Sequence, residues 1–252
     1  MSACGSKPPA AGDGVKRADL TARGTMSTFA IGDIHGHRDA LVALLSVVPV
    51  GKSDRFVFLG DYVNKGPDAK GVIDLLMDLR KRHRTVFLRG NHDQMLIDAR
   101  LDAKACWRLA ALGGKRWLRS YGRGKFDEVL SKVPEDHWRF LEKICRNSFE
   151  TKRCIYVHGG LRPLLDPKDE SPARLQSMRL DAAVRHHSGR LVVCGHSAQA
   201  SGKIVDLGHT IGIDTGVAKG ALLTCLNTKS FEFWQSSSDG KEIRSGRLRK
   251  RS

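Results

Sequence analysis

The stretch RFVFLGDYVNKGP, Arg55 to Pro67, sets the reading of the whole chain. Phe56, Val57, Phe58 and Leu59 form a short apolar, strand-favouring run that Gly60 and Asp61 end abruptly. A strand that releases a carboxylate into a glycine-containing loop is a common way for a sheet to present chemistry at its edge. Asn64 and Lys65, just before Gly66-Pro67, sharpen the question. Some reaction must need a carboxylate at the strand end yet tolerate a neutral amide and a lysine just beyond it.

The same pattern recurs on both sides of that stretch. TFAIGDIHG (28–36), TVFLRGNHD (85–93), CIYVHGG (154–160), LVVCGHS (191–197) and HTIGIDTG (209–216) are each an apolar run closing in polar residues and glycine. Between them, RDALVALLSVV carries Leu41, Leu44, Leu45 and Val48, and DAKGVIDLLMDLRKRH carries Val72, Leu75, Leu76 and Leu79, both at helical spacing. Alternating strands and helices predict an α/β fold. From 94 to 145 the pattern is helical, broken at Gly113-Gly114, YGRGK and Pro134, which predicts a helical cap beside the site. TIGID, ALLTCLN and FEFWQ are expected to be neighbouring strands that close a second sheet against the first.

The boundaries expected are a disordered tail over 1–26, one domain over 27–235, and a solvated basic tail, SSSDGKEIRSGRLRKRS, over 236–252. With 43 basic and 27 acidic residues, the formal charge of +16 favours anionic partners such as nucleotides, nucleic acid or polyphosphate. The C-terminal basic run adds the possibility of a weak RNA contact. The six cysteines form no CxxC pair and sit largely in apolar runs, as reduced thiols do in a cytosolic compartment. No apolar stretch approaches the roughly 20 residues that span a bilayer, so no membrane role is expected. Asp13 and Asp19 count against a mitochondrial transit peptide, leaving a cytoplasmic location as the first expectation and a mitochondrial one as the alternative.

The polar residues at the strand ends are Asp33, His35, Asp61, Asn91, His92, His158 and His196. Oxygen and nitrogen donors without cysteine suit Mn, Fe, Zn, Co or Mg, and this many argue for two ions. Two-metal chemistry is in-line displacement at phosphorus, which needs one carboxylate shared between the ions and separate ligands on each side. Asp61, between the two groups in the chain, is the candidate for the shared position. His92, beside Asn91, is placed to protonate a leaving oxygen. Any one cluster alone is ordinary turn chemistry; five in one order are not. His83, His137, His186, His187 and His209 have no such context and are taken as structural or exposed.

GDIHG (Gly32 to Gly36), GDYVNKG (Gly60 to Gly66), GNHD (Gly90 to Asp93), HGG (His158 to Gly160) and GHS (Gly195 to Ser197) together resemble the phosphoprotein-phosphatase superfamily of dinuclear metallophosphoesterases. The resemblance covers roughly Phe29 to Trp234. It implies a calcineurin-like β-sandwich flanked by helices and two divalent metal ions, manganese first among the candidates. One ion would be held by Asp33, His35 and Asp61, the other by Asp61, Asn91, His158 and His196. His92 would be the general acid. Lys65 would clamp phosphate together with Asn91, and Arg179, in LQSMRL, would supply a second phosphate contact.

The protein serine/threonine phosphatases of this superfamily carry Asp-Arg where this chain has Asn64-Lys65, and Glu where it has Asp93. Asn64 can still hydrogen-bond to His92, but it removes the charge that would hold the imidazole protonated. A serine alkoxide needs a proton on leaving, whereas a nucleoside polyphosphate departs as a weakly basic anion. Lys65 keeps the positive charge without the guanidinium fork. The pattern is most similar to the diadenosine tetraphosphate hydrolase-related, ApaH-like branch. That implies a phosphoanhydride hydrolase acting on dinucleoside polyphosphate, a nucleotide-type RNA cap or polyphosphate, with a protein serine/threonine phosphatase as the alternative. A catalytically silent RNA-binding scaffold is disfavoured by the intact ligand set.

Overall fold

The computed structural model describes residues 26–111 and 115–249. Three short parallel strands, β1 (Thr28–Ile31), β2 (Arg55–Phe58) and β3 (Arg84–Phe87), are linked by helices α1 (Arg38–Val47) and α2 (Ala69–Arg82). A second parallel set is formed by β5 (Cys154–Val157), β6 (Leu191–Cys194) and β8 (Thr210–Gly212), edged by antiparallel β4 (Ser148–Glu150) and β7 (Val205–Asp206).

Period-two alternation explains how the sheets stack. Ala30, Val57 and Leu59 point inward and meet Tyr156, Val193 and Ile211 of the second sheet. Phe29, Ile31, Phe56 and Phe58 point outward onto Leu41, Leu44, Val72 and Leu76 of α1 and α2. On the far side, Ile155, Val157 and Val192 pack under Leu175 of α8 (Pro172–Ser177). The expected α/β sandwich flanked by helices is therefore what forms, with the carboxyl ends of the parallel strands gathered along one edge.

Strand membership differs from the sequence expectation. β9 (Leu222–Asn227) and β10 (Glu232–Ser237) join the sheet of β1, in the order β11-β10-β9-β1-β2-β3, and leave only β8 in the second. β9 is buried along its whole length, with Leu223 and Cys225 facing the α1 side and Leu226 the sandwich interior. A strand apolar on both faces belongs in the middle of a layered sheet, and the turn at Gly216 to Gly220 carries the chain across. The expected C-terminal tail from 236 is also corrected. Residues Ile243–Arg247 form β11, antiparallel to β10 with Trp234 opposite Ser245. Its polarity suits an exposed edge strand as well as a tail, and Arg247 pairs with Glu232 at 2.7 Å. The expected N-terminal tail lies outside the described residues, save Met26.

Between β3 and β4 run α3 (Asn91–Leu101), α4 (Ala103–Leu109), α5 (Lys115–Leu118), α6 (Phe126–Leu130), α7 (Glu135–Arg139) and a π-helical turn at Phe140–Ile144. Cys145, Cys154, Cys194 and Cys225 are buried thiols. Among the described residues no helix is long and apolar enough to cross a membrane.

Candidate active site

The loops after β1, β2, β3, β5 and β6 bring Asp33, His35, Asp61, Asn91, His92, His158 and His196 into one cluster. The backbone pays for this in conformation: His35, Asp61, Asn64, Lys65 and His196 all sit at left-handed φ values between 48° and 71°. Such strain in non-glycine residues persists only where surrounding structure enforces it, and it concentrates at functional sites. Two glycines are required by close approach, since a side chain at Gly90 would strike the Asp61 carboxylate and one at Gly195 would strike Asp33.

Asp61 stands at the centre. Its Oδ2 lies 3.4 Å from His35 Nε2, while its Oδ1 lies 3.5 Å from His158 Nε2 and accepts from the His92 backbone N–H at 2.9 Å. The two oxygens of one carboxylate thus face two different sets of donors. Asp33 Oδ2 completes the first set at 4.0 Å from His35 Nε2. The second gathers on Asn91 Oδ1, 3.1 Å from His158 Nε2 and 2.9 Å from His196 Nδ1.

The donor chemistry asks for a cation. His158 donates Nδ1–H to the Leu59 carbonyl at 2.9 Å and His35 donates Nδ1–H to the Val63 carbonyl at 3.0 Å, so each neutral ring turns an Nε2 lone pair into the cluster. Burial holds both imidazoles well below their ordinary range. His158 Nε2, Asn91 Oδ1 and Asp61 Oδ1 are then all electron-pair donors at close range, which a positive ion between them would satisfy. At His35 Nε2 the partner is Lys65 Nζ, 2.9 Å away. Burial, then the neighbouring Asp214 and Asp61, push the Asp33 carboxyl well up; burial, then Asp93, does the same to Asp61. Two overlapping groups could hold an ion, Asp33, Asp61 and His158, and His35, Asp61 and His92; each has ligand atoms within 4.8 Å of one another, and both share Asp61 and cut across the two donor sets.

Asn64 is buried and its Nδ2 lies 2.7 Å from His92 Nδ1. Its Oδ1 accepts from the Lys65 backbone N–H at 2.8 Å, which fixes the amide so that Nδ2 is the atom facing the imidazole. Burial, Lys65 and His196 bring His92 down to about 3. Asp93, fully buried, accepts from the backbone N–H groups of Gly90, Asp61 and Tyr62 at 2.8 to 2.9 Å and so ties the Asp61 loop to the start of α3.

These groups open into a pocket of about 330 Å³ lined by Asp61, Lys65, Asn91, His92, Arg179 and Lys219. Arg179 lies at the rim, its side chain largely exposed and its Nε 3.2 Å from Asp181. Asp214 and Lys219 are additions to the sequence expectation. Asp214 is buried, no described residue hydrogen-bonds its Oδ2, and it raises Asp33. Both follow the strand end HTIGIDTG, whose Asp-then-Gly signature matches the other site loops. Elsewhere, Asp166, His186 and His187 form a compact group, but both His186 ring nitrogens are engaged, with the Leu165 carbonyl at 3.0 Å and Ser188 Oγ at 2.7 Å. His137 likewise bridges Tyr121 and Asp74.

The family model for calcineurin-like phosphoesterases matches residues 26–200. The symmetrical bis(5'-nucleosyl)-tetraphosphatase of Legionella pneumophila (strain Lens) is 30% identical over 145 residues, which are 56% of this chain and 47% of that protein. The chain thus spans about half the length of such relatives. The asymmetrical bis(5'-nucleosyl)-tetraphosphatase PrpE of Oceanobacillus iheyensis is 25% identical over 227 residues, covering 81% of this chain and 89% of that one. Among solved structures, one proposed to be a diadenosine tetraphosphatase superposes with TM-score 0.61 at 23% identity, over 89% of this chain and 95% of that chain. A cold-active protein tyrosine phosphatase from a Shewanella species gives 0.54 at 16% identity, over 88% and 80%. At those identities the structures speak to the fold.

Proposed function

The chain belongs to the calcineurin-like phosphoesterase family, and from that premise we propose that it is a two-metal hydrolase of phosphoanhydrides in nucleotide-type or polyphosphate substrates. Asp33, His35 and Asp61 would hold one divalent ion and Asp61, Asn91, His158 and His196 the other. The donor set fits hard or borderline ions, manganese first. Bound there, the ions supply the Lewis acidity that activates water near neutral pH and offsets phosphoryl charge.

The chain's own residues do the rest. Lys65, drawn off His35, meets a phosphoryl oxygen as a point charge, and Arg179 and Lys219 face further phosphates from the rim. His92, neutral and donating through Nε2–H, hydrogen-bonds the departing oxygen. The catalytic unit extends from residue 27 through β11, with the helices of 94–145 flanking the cleft.

The observation that carries this reading is the Asn64 amide on His92 Nδ1, with its orientation fixed by Lys65. A donor on Nδ1 opposes protonation there, so His92 is poorly set to protonate an alkoxide. A weakly basic phosphate anion needs no such help. Two curated relatives named as bis(5'-nucleosyl)-tetraphosphatases support the same substrate class. The double substitution N64D/K65R tests it: activity on a phosphoserine peptide should rise while hydrolysis of diadenosine tetraphosphate does not. A wild-type enzyme that already prefers the peptide, or a double variant without any gain, removes the reading in favour of a serine/threonine phosphatase.

A further inference from the structure

Beside the catalytic pocket lies a second groove of about 490 Å³, between α3, α4 and α8, and the two meet at Asn91. Chemistry changes across that residue. On the pocket side the lining is cationic. On the groove side Met95, Ala105 and Ala173 form apolar surface, with Gln94, Asp98 and Arg108 beside them.

The groove follows from the helical repeat. Asn91, Gln94, Met95 and Asp98 are spaced i, i+3, i+4 and i+7, so they form one stripe along α3 that leads outward for about 10 Å from the catalytic cluster. The opposite stripe, with His92, Asp93, Leu96 and Ile97, is buried. The polar groups on the open stripe are pre-set: Arg89 donates to Gln94 Oε1 at 3.2 Å and Gln94 Nε2 donates to Asp98 Oδ1 at 2.8 Å. No described residue donates to Asp98 Oδ2.

We propose that this groove holds the nucleoside of the substrate, so that the enzyme acts on nucleoside polyphosphates in preference to bare polyphosphate. An apolar slot with few fixed polar groups suits a planar aromatic ring and not a phosphate chain. The carboxylate of Asp98 suits the ring-amine donors of a purine. Continuity through Asn91 places a base in the groove while its phosphates lie among Lys65, Arg179 and Lys219. This inference rests on the phosphoanhydride reading above.

The test compares wild type with A105W and A173W, which fill the groove from opposite walls and leave the catalytic cluster untouched. KM and kcat are measured with Mn²⁺ on diadenosine tetraphosphate, inorganic tripolyphosphate and p-nitrophenyl phosphate. Each variant should raise KM for the dinucleotide about ten-fold or more, with its kcat and both other substrates unchanged. Equal losses on all three substrates in both variants, or no loss on any, would overturn the groove assignment. If wild type hydrolyses p-nitrophenyl phosphate but neither anhydride, it is the phosphoanhydride reading that fails. The groove is then judged by adenosine competition against p-nitrophenyl phosphate, which A105W should weaken and which, if absent or unchanged, refutes the assignment.

Discussion

Asn64 donates its side-chain amide to Nδ1 of His92 over 2.7 Å, and the Lys65 backbone N–H fixes the direction of that bond by occupying the amide oxygen at 2.8 Å. His92 therefore keeps its lone pair on Nδ1 and its proton on Nε2. With burial, Lys65 and His196 bringing its pKa to about 3, the ring is neutral throughout the working pH range.

The pH profile follows. Because His92 loses its charge near pH 3, kcat of the wild type should show no alkaline limb from this group between about pH 5 and pH 9. In N64D a carboxylate replaces the donor and raises the His92 pKa, so an alkaline fall in kcat should enter the neutral range, with activity on a phosphoserine peptide up by about a hundred-fold at the acidic end. Profiles of the two proteins on the same substrate check both parts.

Asp61 faces two donor sets with its two oxygens, which isosteric D61N cannot reproduce with an amide nitrogen in place of one oxygen. Turnover should fall at least about a hundred-fold while circular dichroism stays native. Metal analysis after gel filtration should show fewer bound ions than in the wild type.

In the metal-stripped protein the buried carboxyls and the buried histidines contribute to pH-dependent stability with opposite signs. Asp33 and Asp61 have folded-state pKa values raised well above 3.8, so the native state binds more protons than the unfolded one above that pH. Stability contributed by these protonated carboxyls is present below 3.8 and is lost as pH rises toward the folded values. The buried histidines His35 and His158, whose pKa values are lowered, contribute with the opposite sign over the same range, so the carboxyl contribution is read by difference. In EDTA the change in Tm from about pH 5 to about pH 7.5 should be more favourable in D61N than in the wild type, and Mn²⁺ should raise the wild-type Tm more at about pH 7.5 than at about pH 5.

Asp93 accepts four backbone N–H groups from two segments of chain. D93A leaves those donors buried without a partner, at a cost of about 3 kcal/mol in urea unfolding. A misplaced Asp61 loop should lower turnover as well.

Much of the site was legible because its signals are local. A four-residue apolar run ended by glycine and a polar side chain, as in VFLGD, identifies both the strand and the group it presents. Order along the chain supplied the rest, and the structure brings Asp33, His35, Asp61, Asn91, His92, His158 and His196 together. Sheet membership was not legible, because it is set by contacts distant in sequence. The double-sided burial of β9 against β1 and the crossing at Gly216 depend on partners that no window of sequence contains, whereas β11 pairs with the adjacent β10 across a short turn and was hidden by its polarity. Asp214 and Lys219 were missed for the opposite reason. Their signal was present in GIDTGVAK, but Asp214 acts on Asp33 and Lys219 reaches the pocket only through that crossing turn.

The central claim is that this site breaks phosphoanhydrides and not phosphoserine esters. Its most direct test is the ratio of kcat/KM on diadenosine tetraphosphate to that on a phosphoserine peptide, measured on the wild-type chain in the same Mn²⁺ buffer. The account predicts a ratio above about a hundred, abolished by EDTA. A ratio below one would contradict it.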